Sequence, residues 1–337
     1  MEAPLPLQRI SVFMPQRMRD EELTAIFVAR QDLLAELISS LDQESKESIP
    51  QHHLIIGQRG MGKSTLLKRL DIELRTGTYK SRFIPFSYPE EQYNIDRFSK
   101  FWLNTLDALA DTLQTEGEDP LVNEIDEQVA AFTTLKDEAE LSKRAYQLLI
   151  AITGRLKRRP VFLLDNINLI FERLSEENQS SLRKLISEPG APIFIGASAT
   201  AFDKNFDYEA PFYDAFIVHY LHQLSFEETL TLFRHLAKVS NQTELQSQLQ
   251  GENLARLQTL HQLTGGNIRT IVILFTLVAQ GFSADVFLDL EALLDQMTPF
   301  YKAKFEELSN QSQVVVDALA IAVESKLIWR YCVNALR

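Results

Sequence analysis

Between Gly57 and Ser64 the chain reads Gly57-Gln58-Arg59-Gly60-Met61-Gly62-Lys63-Ser64, which fills every fixed position of the pattern Gly-x-x-x-x-Gly-Lys-[Ser/Thr]. No other feature limits the fold so tightly, because this loop works in only one local setting. A buried strand must run into it and a helix must leave it. Backbone N–H groups then curl around phosphates, and the helix adds the positive end of its dipole. Both flanks are present: Leu54-Ile55-Ile56 reads as a short buried strand, and Thr65-Leu66-Leu67-Lys68-Arg69-Leu70 as an amphipathic helix. In that setting Lys63 reaches the β- and γ-phosphates and the Ser64 hydroxyl coordinates Mg²⁺. The expected ligand is a nucleoside triphosphate, ATP with Mg²⁺, cradled by Gly57 to Thr65.

The rest of the chain supplies the sheet such a loop needs. Arg82-Phe83-Ile84-Pro85-Phe86-Ser87 reads as a second strand, closed by Tyr88-Pro89. Helical regions follow near 98–114 and 122–157, separated by the breaker Glu116-Gly117-Glu118-Asp119-Pro120. Pro160-Val161-Phe162-Leu163-Leu164-Asp165 is a continuous apolar run, as expected of a parallel strand buried on both faces. Pro192 to Ala197 and Ala215 to Tyr220 read as the fourth and fifth strands. Strands alternating with helices predict right-handed βαβ units, hence an α/β fold with a five-stranded parallel sheet flanked by helices. From Ser225 onward helical patterns replace strands. The expected division is a leader with one helix (1–50, with helical spacing over Asp32–Leu41), an ATPase core (51–222), a helical lid (223–292) and a helical tail (293–337).

Other residues extend the site. Asp165, at the tip of the third strand, is placed to hold the Mg²⁺ water shell opposite Ser64. The next residue is Asn166, which cannot accept a proton, so base catalysis is lost at that position. Glu90 and Glu91, just past the second strand, are substitute bases at the carboxyl edge of the sheet, where ligands gather in open α/β folds. An acidic surface loop explains them equally simply. Ser198 and Thr200 are candidate γ-phosphate sensors or plain turn residues. Leu263-Thr264-Gly265-Gly266-Asn267-Ile268-Arg269 is a Gly-Gly-Asn turn ahead of a helix, and it can aim Arg269 at the phosphates.

Taken together, the phosphate loop, the strand ending in Asp165, the opening segment Phe27-Val28-Ala29-Arg30, the stretch Leu224-Ser225-Phe226-Glu227-Glu228 and the Thr264–Arg269 turn resemble an AAA+ ATPase. The nearest branch is the origin-recognition-like, archaeal-type and STAND-type ATPases. The resemblance covers roughly residues 20–290, and its motifs outside the phosphate loop are short. It implies that Val28 and Arg30 lie near the adenine and that Arg269 is the second sensor on the γ-phosphate. Two positions depart from the family. Asn166 stands where an acidic residue is usual, and Ala210 to Phe216 lacks an arginine finger, with Lys204 the nearby cation. Both departures imply slow hydrolysis.

The remaining features narrow the partners. Val314-Val315-Val316-Asp317-Ala318-Leu319-Ala320 resembles the opening helix of a winged-helix domain, and Trp329-Arg330-Tyr331-Cys332 is an aromatic ending. The basic run Arg155, Lys157, Arg158 and Arg159 suits a helix end, where cations are favoured, better than a nucleic-acid backbone contact. His52-His53 lacks further ligands at metal spacing. A net charge of −12 argues against a broadly basic DNA-binding surface. No apolar run approaches a membrane span. Cys332 is the lone cysteine, and Met1 to Pro6 lacks the blocks of a secretory signal; both fit a cytoplasmic protein. The function expected is an ATP-dependent switch acting on a protein or DNA partner. The alternative is a DNA-loading or mobile-element ATPase that assembles on DNA. A homo-oligomer fits either reading.

Overall fold

Alternate residues of each inner strand belong to opposite apolar layers, and this two-sidedness organises the molecule. The computed structural model describes residues 15–45, 48–88, 97–132, 134–199, 212, 214–242, 244–245, 249–279, 286–306, 308–319 and 321. Five strands, β1 (His52–Ile56), β2 (Phe83–Tyr88), β3 (Arg159–Leu164), β4 (Ile193–Ser198) and β5 (Phe216–Tyr220), form one sheet in the order β2-β3-β4-β1-β5. Every pairing is parallel, with Ile55 opposite Ala197 and Phe162 opposite Phe194. β1, β3 and β4 are buried along their whole length, as interior parallel strands covered on both faces must be.

Because side chains alternate along a strand, Leu54, Ile56, Phe162, Leu164 and Phe194 face one way. They pack with Trp102, Leu106 and Leu149 from the helices Phe98–Glu116 and Glu138–Arg155. Ile55, Val161, Leu163, Ile193 and Ile195 face the other way, against Leu37 and Leu41 of the helix Gln31–Gln43 and Leu66 and Leu70 of the helix Lys63–Leu74. The carboxyl ends of β1 and β3 are thus held side by side across β4, which fixes Gly57 and Asp165 relative to one another.

A separate apolar cluster forms after β5. Leu232, Phe233 and Leu236 of the helix Phe226–Val239, Leu257 and Leu260 of Gly251–Thr264, Ile271, Leu274 and Phe275 of Ile268–Val278, and Leu293 of Val286–Glu306 are all buried in it. Ile26, Val28 and Ala29 pack against it from the N-terminal segment. The first of these helices opens on a capping box: Ser225 accepts from the Glu228 N–H at 3.2 Å, and Glu228 accepts from the Ser225 N–H at 2.7 Å.

Two expectations need correction. The leader, read as carrying one helix, holds two, Asp20–Ile26 and Gln31–Gln43, separated by Phe27 to Arg30, where Phe27 is extended and Arg30 left-handed. The single helical region foreseen over 122–157 is two helices, Asp119–Phe132 and Glu138–Arg155. The second starts at Asp137, whose side chain accepts a hydrogen bond from the Ala139 N–H; the N-cap is satisfied locally and the chain turns without proline or glycine. Residues 310–319 are helical and leave Val314, Val315 and Leu319 exposed, whereas Trp329 to Cys332 lie outside the described residues. Among the described residues no helix is long and apolar enough to cross a membrane.

Candidate nucleotide-binding site

The phosphate loop leaves β1 at Gly57 and closes into the helix Lys63–Leu74. Gly60 and Gly62 both have φ in the left-handed region, at 85° and 88°. A side chain there would strain the backbone, so the loop's shape depends on these two positions. Gly57 is needed for space: a Cβ there would sit 2.9 Å from Cβ of Leu221. Lys63 is buried, with Nζ donating to the carbonyls of Gln58 (3.0 Å) and Gly57.

Opposite the loop, Asp165 follows β3 and is 5% exposed. Its N–H donates to the Tyr88 carbonyl at 3.1 Å, tying it to the neighbouring strand. One carboxylate oxygen accepts from the Asn166 N–H at 3.1 Å and the other from the Ser64 hydroxyl. Asn166 has φ 49° and stands just ahead of the helix Ile167–Arg173, with no capping hydrogen bond from its side chain. Left-handed backbone of this kind favours Asn over most side chains. The identity at 166 therefore has a backbone cause as well as a chemical consequence.

The wall facing the loop comes from after β5. Leu224 donates its N–H to the Gly266 carbonyl at 2.8 Å, and a Cβ at Gly266 would lie 1.9 Å from the Leu224 carbonyl oxygen, so glycine is required. This close approach brings Asn267 and Arg269 against the loop. Arg269 donates its N–H to the Gly60 carbonyl at 3.0 Å, and Asn267 Nδ2 donates to the Arg59 carbonyl at 2.9 Å.

A cavity of about 160 Å³ lies between the two walls. Gly60, Gly62, Lys63, Ser64, Thr65, Asp165 and Asn166 bound one side, and Leu232, Leu236, Ile268, Arg269 and Val272 the other. Phe27, Val28, Ala29 and Arg30 close the end. Arg30 also has left-handed backbone, at φ 67°, and its guanidinium donates to the His222 carbonyl. Burial lowers its pKa, partly countered by Glu228. The site is thus polar and cationic at the loop and apolar toward Val28 and the helices Phe226–Val239 and Ile268–Val278, which matches a ligand with a charged tail and a weakly polar head.

The cavity gathers Val28, Arg30, Arg59, Gly60, Gly62, Lys63, Ser64, Thr65, Asp165 and Arg269 from the sequence-derived set. Gly57, Gln58 and Met61 build the loop without lining it. Ser198 is fully buried, donates to Asn168 Oδ1 at 3.2 Å and does not line the cavity, although its carbonyl accepts from the Gly57 N–H at 3.1 Å. Glu90, Glu91, Thr200, Lys204, Ala210, Pro211 and Tyr213 lie outside the described residues. The sequence reading missed Asn267 as a loop contact and Leu232, Leu236 and Val272 as cavity wall. Asn267 was visible within the Gly-Gly-Asn turn. The apolar wall residues had no distinguishing signal, since they repeat at helical spacing like any core residue.

Three of the four cations of the basic run, Arg155, Arg158 and Arg159, are held in ion pairs. Arg155 meets Glu124 at 2.7 Å, Arg158 meets Glu116 at 2.8 Å and Arg159 meets Glu44 at 2.9 Å.

The donor set can be tested against a metal. One hydroxyl and one carboxylate converge at the loop, and among the described residues no three His, Cys, Asp or Glu side chains cluster in a way that could hold a metal. That sparse oxygen set fits Mg²⁺, which keeps waters and phosphate oxygens in its shell and needs few protein ligands.

A strand, a glycine loop, a helix beginning with Lys63-Ser64, and a carboxylate two strands away define a P-loop nucleoside triphosphatase. More narrowly, the AAA ATPase domain family matches residues 26–195, just over half of the chain, and the chain belongs to that family. Among solved structures it is similar to the Walker-type ATPase PABY2304 of Pyrococcus abyssi, with 15% identity and a TM-score of 0.54 over 86% of this chain and 77% of that one. It is also similar to the ORC1 protein of Aeropyrum pernix in its complex with DNA, with 11% identity and a TM-score of 0.51 over 94% of this chain and 75% of that one. At such identities the likeness is one of fold. No curated protein matches the chain.

Proposed function

We propose that the chain binds Mg-ATP in this cavity and works as a nucleotide-dependent switch on a protein or DNA partner, with slow intrinsic hydrolysis. The observation that carries the reading is the shared cavity: the phosphate loop forms one wall, and Arg269 reaches the other from a separately packed set of helices. Lys63 and the loop backbone from Gly60 to Gly62 would bind the β- and γ-phosphates, with Gly57, Gln58, Arg59, Met61 and Thr65 shaping the cradle. Ser64 and Asp165 would hold Mg²⁺, which when bound neutralises phosphate charge. Val28 and Arg30 would flank the base, and Arg269 would contact the γ-phosphate. The division between core (51–222) and lid (from 223) is supported by the separate apolar cluster that begins at Leu224; a lid ending at 292 is not, since the helix Val286–Glu306 runs across that boundary and buries Leu293 in the cluster.

A ligand shifts a two-state protein only by its differential contacts. ATP and ADP differ at the γ-phosphate, the group Arg269 is placed to meet. Hydrolysis is slow in this reading because Asn166 cannot serve as a base, leaving Glu90 or Glu91 to do so, and loss of one charge-stabilising or base group costs a hundredfold or more. DNA stands among the candidate partners through the fold shared with the Aeropyrum pernix ORC1 protein in its complex with DNA. The deciding experiment is steady-state ATPase activity with and without DNA, alongside particle mass with and without ATP. Turnover far below ten per second that rises with a partner is expected. Tens of turnovers per second from the isolated chain would contradict slow hydrolysis, and ATP-dependent retention on DNA would favour the DNA-loading alternative.

A further inference from the structure

The Asn267 side chain serves two elements at once. Its Oδ1 accepts from the N–H groups of Arg269 (3.0 Å) and Thr270 (3.5 Å), capping the helix Ile268–Val278. Its Nδ2 donates across to the Arg59 carbonyl in the phosphate loop at 2.9 Å. The amide orientation follows from this, since the flipped form would set its NH₂ against two N–H donors. Next to it, the Arg269 N–H also reaches the Gly60 carbonyl at 3.0 Å. Two successive loop carbonyls are therefore held from outside by one turn.

The consequence lies in the peptide planes. The chain has no cis peptide among its described residues, and in a trans peptide C=O and N–H point in opposite directions. Holding the Arg59 carbonyl outward directs the Gly60 N–H inward. Holding the Gly60 carbonyl outward directs the Met61 N–H inward, where it closes a turn onto the Gln58 carbonyl at 3.3 Å. The fit is close enough to exclude any side chain at position 60, where a Cβ would lie 2.5 Å from Asn267 Oδ1.

We propose that Asn267 is a positioning residue of the phosphate site: from the lid side it clasps the Arg59–Gly60 peptide and presets the loop's N–H groups toward the phosphates before nucleotide arrives. This rests on the phosphate-loop reading above. It concerns the loop and hence both ATP and ADP, in contrast to Arg269, whose side chain is placed for the γ-phosphate alone.

The cap and the clasp can be separated chemically. Ser and Thr cap helices about as well as Asn, but neither reaches the Arg59 carbonyl, and neither brings a charge near the phosphates. In full-length Asn267→Ser and Asn267→Thr, melting should stay within about 2 °C of the parent. Exchange of the 57–64 amides in nucleotide-free protein should accelerate. Affinity for ATP and ADP should fall together, about three- to tenfold, as loss of one preorganising hydrogen bond implies. Unchanged loop exchange with affinities within twofold of the parent would overturn the clasp, as would a loss confined to ATP. Lys63→Ala serves as the control for the underlying reading. If it binds nucleotide as the parent does, the phosphate assignment falls, while amide exchange in the nucleotide-free variants still decides whether Asn267 holds the loop.

Discussion

At residue scale, two side chains carry the chemical distinctions in the site. Asn166 looked, from sequence, like a lost base. The left-handed turn at φ 49° adds a reason of its own: the residue joining β3 to the helix Ile167–Arg173 must tolerate that backbone, and Asn does so where Glu would be strained. Arg269 is the other. Its backbone is fixed on Gly60 and its side chain lines the cavity, so removing the guanidinium leaves the loop contacts of the main chain in place. Arg269→Ala should therefore weaken ATP binding by roughly 1–3 kcal/mol, the worth of one charge-assisted contact, and leave ADP binding nearly intact. Calorimetry with both nucleotides checks this. Equal losses would make Arg269 structural and move the discrimination elsewhere.

At element scale, the strands were legible because burial on both faces demands continuous apolar runs, and Val161 to Leu164 and Ile193 to Ile195 supply them. The break between the helices Asp119–Phe132 and Glu138–Arg155 was not, because Asp137 opens the second helix with a cap and neither proline nor glycine separates the two. The amino-terminal ends of the strands are tied by groups with no motif at all. Arg159, 7% exposed, pairs with Glu44 and also donates to the carbonyls of Ala191, Ser45 and Ser48, joining β3 to the approach to β1. Glu44→Ala leaves that guanidinium buried without its counter-charge. The expected cost is about 3 kcal/mol in urea unfolding, the lower end for a broken buried pair because the carbonyls remain. β1 adds a pH dependence. His52 accepts the Phe194 N–H at Nδ1 and meets the Ile186 carbonyl through Nε2, so only its neutral form satisfies both, and burial lowers its pKa to about 4. An unfolded chain takes up that proton near pH 6.5 while the native chain refuses it until about pH 4. The stability is therefore fully present above pH 6.5 and lost as pH falls toward 4. Urea unfolding at pH 7.5 and 5.0 should differ by roughly 2 kcal/mol through this residue. His52→Phe should remove that share of the difference and leave the part due to His53, whose pKa burial also lowers to about 4; an unchanged slope in that variant would refute the assignment.

At the scale of the whole molecule, the sheet with its flanking helices and the apolar cluster that follows β5 meet around one cavity. Asn267 and Arg269 touch the loop, His235 bonds the Ala25 carbonyl at 2.6 Å, and Ile26, Val28 and Ala29 lean on the second cluster. The phosphate loop and Asp165 were readable in the sequence because phosphate chemistry fixes residue types at fixed spacing. The apolar wall of Leu232, Leu236 and Val272 was not, because only tertiary packing turns a helix face toward a cavity instead of a core. A ligand seated between two bodies stabilises the closed arrangement by its own binding free energy, about 2.7 kcal/mol at a hundred times Kd. Regions that open independently of the rest exchange their amides fastest and gain the most protection. Mg-ATP should therefore slow exchange in 26–30 and 268–278 far more than in β3 and β4, whose burial already protects them. Mg-ADP should protect the loop as well but 268–278 less, since it lacks the phosphate that Arg269 is proposed to meet. In Lys63→Ala none of these changes should occur at the same nucleotide concentration. Exchange in 268–278 that is indifferent to nucleotide, with the 57–64 amides still protected, would separate binding from switching: the site would stand, and the helix Ile268–Val278 would have no part in reporting what occupies it.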